Sequence, residues 1–173
     1  MSVVLVLGGA RSGKSRFAES LAHQPAHYVA TAQAFDDEMK TRIAGHKVQR
    51  GTAWITHEEP FELVAKLREL DIQRNFILVD CLTLWLTNLL LAERDCAVEV
   101  QSLVTHLRQA QSRIVIVSNE VGLGIVPDNK LARAFRDVQG LANQRIAEVA
   151  LSVVFMAAGL PLILKGPLPT AQL

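Results

Sequence analysis

The chain has 173 residues, half of them hydrophobic, with 18 Lys+Arg against 17 Asp+Glu and a formal net charge of +1. A sequence of this length and apolar content is expected to bury one core as a single domain spanning 1–173, without a disulfide or metal staple, and is not disordered. The balanced charge excludes a general electrostatic affinity for nucleic acid or anionic membranes, so any polyanion must be recognised locally. Cys81 and Cys96 stand alone in apolar stretches, which fits a reducing, cytoplasmic setting better than a disulfide framework. The first apolar run has no basic lead and is shorter than a signal-peptide core. The longest apolar stretch, Leu82 to Ala92, falls short of the roughly 20 residues a membrane span needs, so no membrane insertion is expected.

In chain order, Val3–Leu7 reads as a strand, and Lys14–Ala22 has helical spacing. Strands are predicted at His27–Thr31 and Ala53–Thr56, with Asp36–Arg50 between them as a polar helix, acidic at its start and basic at its end. Helical spacing covers Pro60–Leu70; a buried strand is expected at Phe76–Asp80, followed by helices over Leu82–Glu93 and Val98–Ala110. The apolar residues that surround the Leu82–Glu93 helix almost completely fit either the core or a subunit contact. Arg113–Ser118 is the next strand, and Leu131, Phe135, Val138, Ala142, Ile146 and Val149 mark a long helix over Asp128–Val149. Leu151–Met156 is a further strand. The tail Gly159–Leu173, with Leu162–Lys165 as its strand-like piece, either forms an edge hairpin or hangs loose. Strands apolar on both faces that alternate with helices imply a mostly parallel sheet covered on both sides.

The segment Gly8-Gly9-Ala10-Arg11-Ser12-Gly13-Lys14-Ser15 satisfies G-x-x-x-x-G-K-[ST] and lies directly between a strand and a helix, as a phosphate-binding loop requires. Its glycines let successive N–H groups turn inward as an anion nest at a helix N-terminus. Lys14 then reaches the β/γ-phosphates of a nucleoside triphosphate, and Ser15 ligates Mg²⁺. Asp80, at the end of a neighbouring buried strand, has two compatible readings: holder of the Mg²⁺ water shell, or N-cap of the helix from Leu82. The expected fold is therefore α/β and P-loop NTPase-like (RecA-like), mostly parallel, with helices on both faces and an antiparallel edge.

On the polar helix, Arg42, His46 and Arg50 recur on one face, which suits phosphate groups but also a plain solvated surface. His23, His27, His57 and His106 lack such a cationic setting and read as surface or strand-end residues. Loops at the carboxyl ends of parallel strands form the ligand crevice of open α/β sheets, which puts Asn119 and Glu120 near the nucleotide or its acceptor. Arg133, Arg136 and Asn143 lie off the apolar stripe of the long helix, free to meet a substrate or another subunit. Residues alone leave open a monofunctional P-loop kinase or an NTP-binding switch.

Taken together, GGARSGKS, the ATAQ run at Ala30–Gln33, the Asp36–Arg50 segment, the Asp80 strand and SNEVGLGIVPDNKLARAFRD at Ser118–Asp137 resemble one family over nearly the whole chain. It is the bifunctional adenosylcobinamide kinase/adenosylcobinamide-phosphate guanylyltransferase family of cobalamin biosynthesis. The resemblance implies two reactions. ATP or GTP phosphorylates adenosylcobinamide with Lys14, Ser15 and Mg²⁺; His46 then attacks the α-phosphorus of GTP, forming a guanylyl-histidine whose GMP passes to adenosylcobinamide phosphate. It also implies nucleotide contacts from Gly8, Gly9, Ala10, Arg11, Ser12, Gly13, Lys14, Ser15, Ala30, Thr31, Ala32, Lys47, Val48, Gln49, Arg50, Glu58 and Asp80, and a homotrimer. Glu58 offers the acceptor that guanine N1–H and N2–H₂ require, with a helix-start carboxylate before Pro60 as its other reading. Gly45 stands where some relatives carry a second histidine, and Asp80 where some carry Glu.

Overall fold

The computed structural model describes residues 2–33, 53–72 and 75–171. Its elements are β1 (Ser2–Gly8), α1 (Lys14–Ser20), β2 (Ala26–Ala30), β3 (Ile55–Glu58), α2 (Leu63–Leu70), β4 (Phe76–Asp80), α3 (Leu82–Leu91), α4 (Cys96–Leu107), β5 (Arg113–Asn119), α5 (Lys130–Val149), β6 (Ser152–Ala157) and β7 (Leu160–Lys165). Among the described residues, seven strands form one sheet in the order β3-β2-β4-β5-β1-β6-β7. All neighbours run parallel except β6 and β7, so the tail forms the edge hairpin.

Period-two alternation divides each central strand between two cores. Val3, Leu5 and Leu7 of β1 face one side with Ile77, Val79, Ile114 and Ile116, under apolar residues of α2, α3, α4 and α5. Val4 and Val6 face the other side with Leu78, Val115 and Val117, against Ala18 of α1. Burying each such Val, Leu or Ile contributes roughly 1.5–3 kcal/mol. Within α3, Leu82, Trp85, Leu86 and Leu89 are completely buried, which makes this helix part of the core. Asn88 is buried with them because its amide donates to Thr31 O (2.8 Å) and Pro60 O (3.0 Å).

Capping side chains move several boundaries from their predicted places. Asp95 accepts from the N–H groups of Ala97 and Val98, so α4 starts at Cys96, two residues before the predicted Val98. Asn129 accepts from Ala132 N–H at 2.7 Å and starts α5 at Lys130 instead of Asp128. The Glu59 carboxylate takes the N–H groups of Phe61 (3.1 Å) and Glu62 (2.8 Å), and α2 begins only at Leu63. At the sheet edge, Gln24 Nε2 donates to Ala53 O at 2.8 Å, outside the ladder, and β3 runs two residues later than predicted. The expected helix at Asp36–Arg50 lies outside the described residues.

His106 is not a surface residue. Its side chain is 9% exposed, with Nε2 3.6 Å from Asp71 Oδ2. Burial lowers its pKa, opposed by the Asp71 charge.

Candidate functional site

The phosphate loop leaves the carboxyl end of β1, where both neighbouring strands brace it. Gly13 adopts a left-handed φ of 94°, and a Cβ there would meet Gly159 Cα at 3.3 Å. Gly159 N–H, in the β6–β7 turn, donates to Ser12 O at 3.0 Å, so that turn supports the loop from below. At Gly8 a Cβ would lie 2.6 Å from the carbonyl oxygen of Met156, which leaves no room for any side chain. The loop therefore needs glycine at both positions for close backbone approach as well as for its turn.

Lys14 is 8% exposed, and its ammonium donates to Gly9 O at 2.7 Å. A buried ammonium held on a loop carbonyl is positioned for the β/γ-phosphates that such a lysine serves. Ser12 Oγ is buried and has no hydrogen-bond partner among the described residues. Because an unsatisfied buried hydroxyl is costly, this donor inside the nest marks a place for an anion. Ser15 is half-buried in the first turn of α1.

Asp80 ends β4, but β5 lies between β4 and β1, so its strand is not hydrogen-bonded to the loop strand as the sequence reading assumed. Two strand spacings set it roughly 10 Å across the sheet from β1. It is not an N-cap either: Cys81 occupies that position of α3 with no side-chain cap bond. Instead Asp80 Oδ2 accepts from Tyr28 Oη–H at 2.7 Å. Sequence reasoning missed Tyr28, whose only signal was a hydroxyl within a short, mostly buried strand. Ser15 Oγ and the Asp80 carboxylate are both oxygen donors, the ligand type that Mg²⁺ takes.

Next to Asp80, the pKa of the buried Cys81 thiol is pushed up to about 12, by burial first and by the Asp80 charge second, and the thiol stays protonated. Thr31 follows Ala30 at the end of β2 and is completely buried. Its hydroxyl donates to Cys81 O (2.7 Å) and accepts from Cys81 N–H (2.9 Å). A nucleotide contact expected of Thr31 therefore cannot come from this side chain, which fastens β2 to the β4–α3 junction.

Beside the loop, β5 is in register with β1 so that Gly8 pairs with Asn119. Glu120 N–H donates to Gly8 O at 3.1 Å. Asn143, expected to face a substrate or subunit, is 6% exposed. Its Oδ1 accepts from Ser118 Oγ–H (2.7 Å) and Gln139 Nε2 (3.1 Å), and its Nδ2 donates to Asn119 O (3.2 Å). The helical wheel put it off the apolar stripe correctly, but α5 lays this polar group onto the end of β5. Arg133 donates to Pro127 O and Asp128 O, and Arg136 to Gly122 O, so both arginines fasten the loop between β5 and α5.

Glu58 is exposed at the end of β3, in register with Ala30 and, through it, with Asp80. It is four strands from β1, roughly 19 Å across the sheet. The helix-start role belongs to Glu59, so Glu58 does not serve there. One residue earlier, His57 Nε2 lies 3.1 Å from His27 Nδ1, with the rings stacked at 27°. Burial lowers the pKa of both; His57 is lowered further by His27 and Lys66 and raised by Glu69. Both lie near strand ends, as the sequence suggested, and the pairing of β2 with β3 brings them together. His46, Lys47, Val48, Gln49 and Arg50 lie outside the described residues.

Residues 4–164 match a family model described as cobinamide kinase / cobinamide phosphate guanyltransferase. A bifunctional adenosylcobalamin biosynthesis protein, CobP, of Pseudomonas aeruginosa is 50% identical over 167 residues, covering 94% of this chain and 96% of the relative. The corresponding CobU proteins of Escherichia coli and Salmonella typhimurium are 38% and 39% identical, each over 94% of this chain and 99% of the relative. Among solved structures, the P4 protein of bacteriophage phi6 in complex with ADP aligns with a TM-score of 0.51 at 13% identity, covering 93% of this chain and 54% of that one. A protein of Pyrococcus horikoshii OT3 aligns at 0.52 and 13% identity, over 99% and 91%. These two likenesses concern the fold alone.

Proposed function

The chain belongs to the cobinamide kinase / cobinamide phosphate guanyltransferase family, and from that membership we propose that one domain, residues 1–173, carries out both transfers of cobalamin biosynthesis at the carboxyl edge of its sheet. In the first, ATP or GTP gives its γ-phosphoryl group to adenosylcobinamide. In the second, GMP passes from GTP to adenosylcobinamide phosphate through a guanylyl group on His46.

The phosphate loop carries this reading: the Lys14 ammonium on Gly9 O and the unpartnered Ser12 hydroxyl present donors to a triphosphate in a nest formed by Gly8 and Gly13. Gly8 to Ser15 hold the phosphates, Lys14 balances charge on the β- and γ-groups, and Ser15 with Asp80 would hold Mg²⁺. When bound, Mg²⁺ neutralises charge that builds up on the phosphate oxygens. Ala30 and Ala32 border the crevice with the Thr31 backbone, Glu58 accepts from guanine, and Lys47 to Arg50 contact the nucleotide beside His46. Imidazole suits the second reaction because it is neutral and nucleophilic near pH 7. His46 bonds to the α-phosphorus, the bond to the pyrophosphate oxygen breaks, and the phosphate of the acceptor later displaces the imidazole. A homotrimer in the cytoplasm is the expected form.

The test is to incubate protein and Mg²⁺ with α-³²P-GTP or γ-³²P-GTP, in wild type and His46→Ala, and to count label on denatured protein. Acid-labile, alkali-stable label is expected from the α position only, and only in wild type. Active wild-type protein that takes no α-label would leave a kinase without a guanylyl-histidine.

A further inference from the structure

We propose that Glu120 is the catalytic base of the phosphoryl transfer, taking the proton of the acceptor hydroxyl; the inference rests on the kinase reading above. Its position follows from the sheet. β5 lies between β1 and β4, and the pairing of Gly8 with Asn119 makes Glu120 the first residue past the strand end, directly beside the phosphate loop. Glu120 N–H donates to Gly8 O at 3.1 Å, while the Lys14 ammonium donates to the next carbonyl, Gly9 O, at 2.7 Å. Two groups thus hang from consecutive carbonyls of one loop. One of them marks where the β/γ-phosphates rest.

The carboxylate is held but not saturated. Glu120 Oε1 accepts from Gly122 N–H at 2.5 Å, and Oε2 has no partner among the described residues. The approach is close: a Cβ at Gly122 would lie 2.8 Å from Oε1. The surrounding loop is pinned from two helices: Arg136 of α5 donates to Gly122 O, and Thr83 of α3 accepts from Asn119 N–H at 2.8 Å. A half-buried carboxylate with one oxygen fixed and the other open is preorganised to accept a proton. The rival carboxylates are less well placed. Asp80 is one strand further from β1 and receives the Tyr28 hydroxyl, and Glu58 lies at the far edge of the sheet.

In the step, the acceptor O–H proton moves to Glu120 Oε2 as its oxygen bonds to the γ-phosphorus. The bond from that phosphorus to the β–γ bridging oxygen breaks, and the nucleoside diphosphate leaves with the electron pair. Glu120 then returns its proton to water.

Three forms of the protein test this: wild type, Glu120→Gln, which keeps an oxygen for Gly122 N–H but loses basicity, and Glu120→Asp, which keeps basicity. With ATP, Mg²⁺ and adenosylcobinamide, ADP release should fall about 100–1000-fold in kcat for Glu120→Gln and stay within about tenfold for Glu120→Asp. ATP affinity and thermal midpoint should match wild type in both. A Glu120→Gln kcat within threefold of wild type overturns the assignment. So does equal inactivity of both variants with weakened ATP binding, which would make Glu120 a purely structural support. If wild type itself forms no ADP with the acceptor present, the kinase reading fails first.

Discussion

The centre of the sheet and its β3 edge differ in how firmly they are packed, and the function proposed above asks a different task of each. At the centre, β1 is paired on both sides and its Val4, Leu5 and Val6 are at most 1% exposed. The phosphate loop it carries is packed against Met156, Gly159 and Glu120. At the edge, β3 has four residues, paired on one side among the described residues, and none of them is fully buried. A triphosphate site needs donors fixed in advance, because their alignment is the catalysis. Recognition of a base needs one well-placed acceptor and tolerates a softer support. Damage at the centre should therefore cost the fold, and damage at the edge should cost selectivity.

The strongest test of that contrast is Gly8→Ala. The new methyl would meet Met156 O at 2.6 Å, a main-chain atom that can yield only if β6 moves. We expect a loss of about 2–4 kcal/mol, or about 5–15 °C in thermal midpoint for a domain of this size. A midpoint within 2 °C of wild type would remove the argument for a rigid centre. Glu58→Gln probes the other side. It should lower the preference for GTP over ATP in protein labelling by roughly 10-fold or more, the worth of a charged hydrogen-bonded pair. Its thermal midpoint should stay within about 2 °C of wild type, as for surface changes generally. Unchanged discrimination at comparable labelling rates would detach Glu58 from the base.

The smallest effect concerns acid. His27 and His57 both titrate below their ordinary value of 6.5 in the folded chain, chiefly through burial. Below that pH the unfolded chain binds more protons than the folded one, so stability is complete above about 6.5 and falls as pH drops beneath it. His57→Gln should flatten part of this decline in midpoint between about pH 7 and 5, and the lowered pKa of His106 should preserve the remainder. Identical slopes in wild type and variant would show that the edge pair contributes nothing to the acid response.

What the sequence makes legible is what depends on neighbours along the chain. The phosphate loop needs only its glycines, Lys14 and a strand before it, and the β4 run Phe76–Asp80 announces itself by apolar content. What depends on register was hidden. His27 and His57 meet because β2 and β3 pair side by side, Tyr28 reaches Asp80 because β2 pairs with β4, and neither fact is written in local spacing. Asn143 was misread for a related reason: helical periodicity shows which side chains are polar but not that a polar one can be buried on Ser118 and Asn119. Of the adjacent Glu58 and Glu59, it is Glu59 that takes the N–H groups at the start of α2, which local spacing does not show.

The β6–β7 turn also imposes an order of events on synthesis. Gly159 N–H holds Ser12 O, so the loop is completed by a turn that lies far downstream of it in the chain. At about 5–20 residues per second, ribosomal elongation separates the two by on the order of 10 s. During that interval β1 lacks β6 as a neighbour and the phosphate loop lacks its support. The nascent chain thus carries the whole phosphate-loop sequence before the turn that supports the loop has been made.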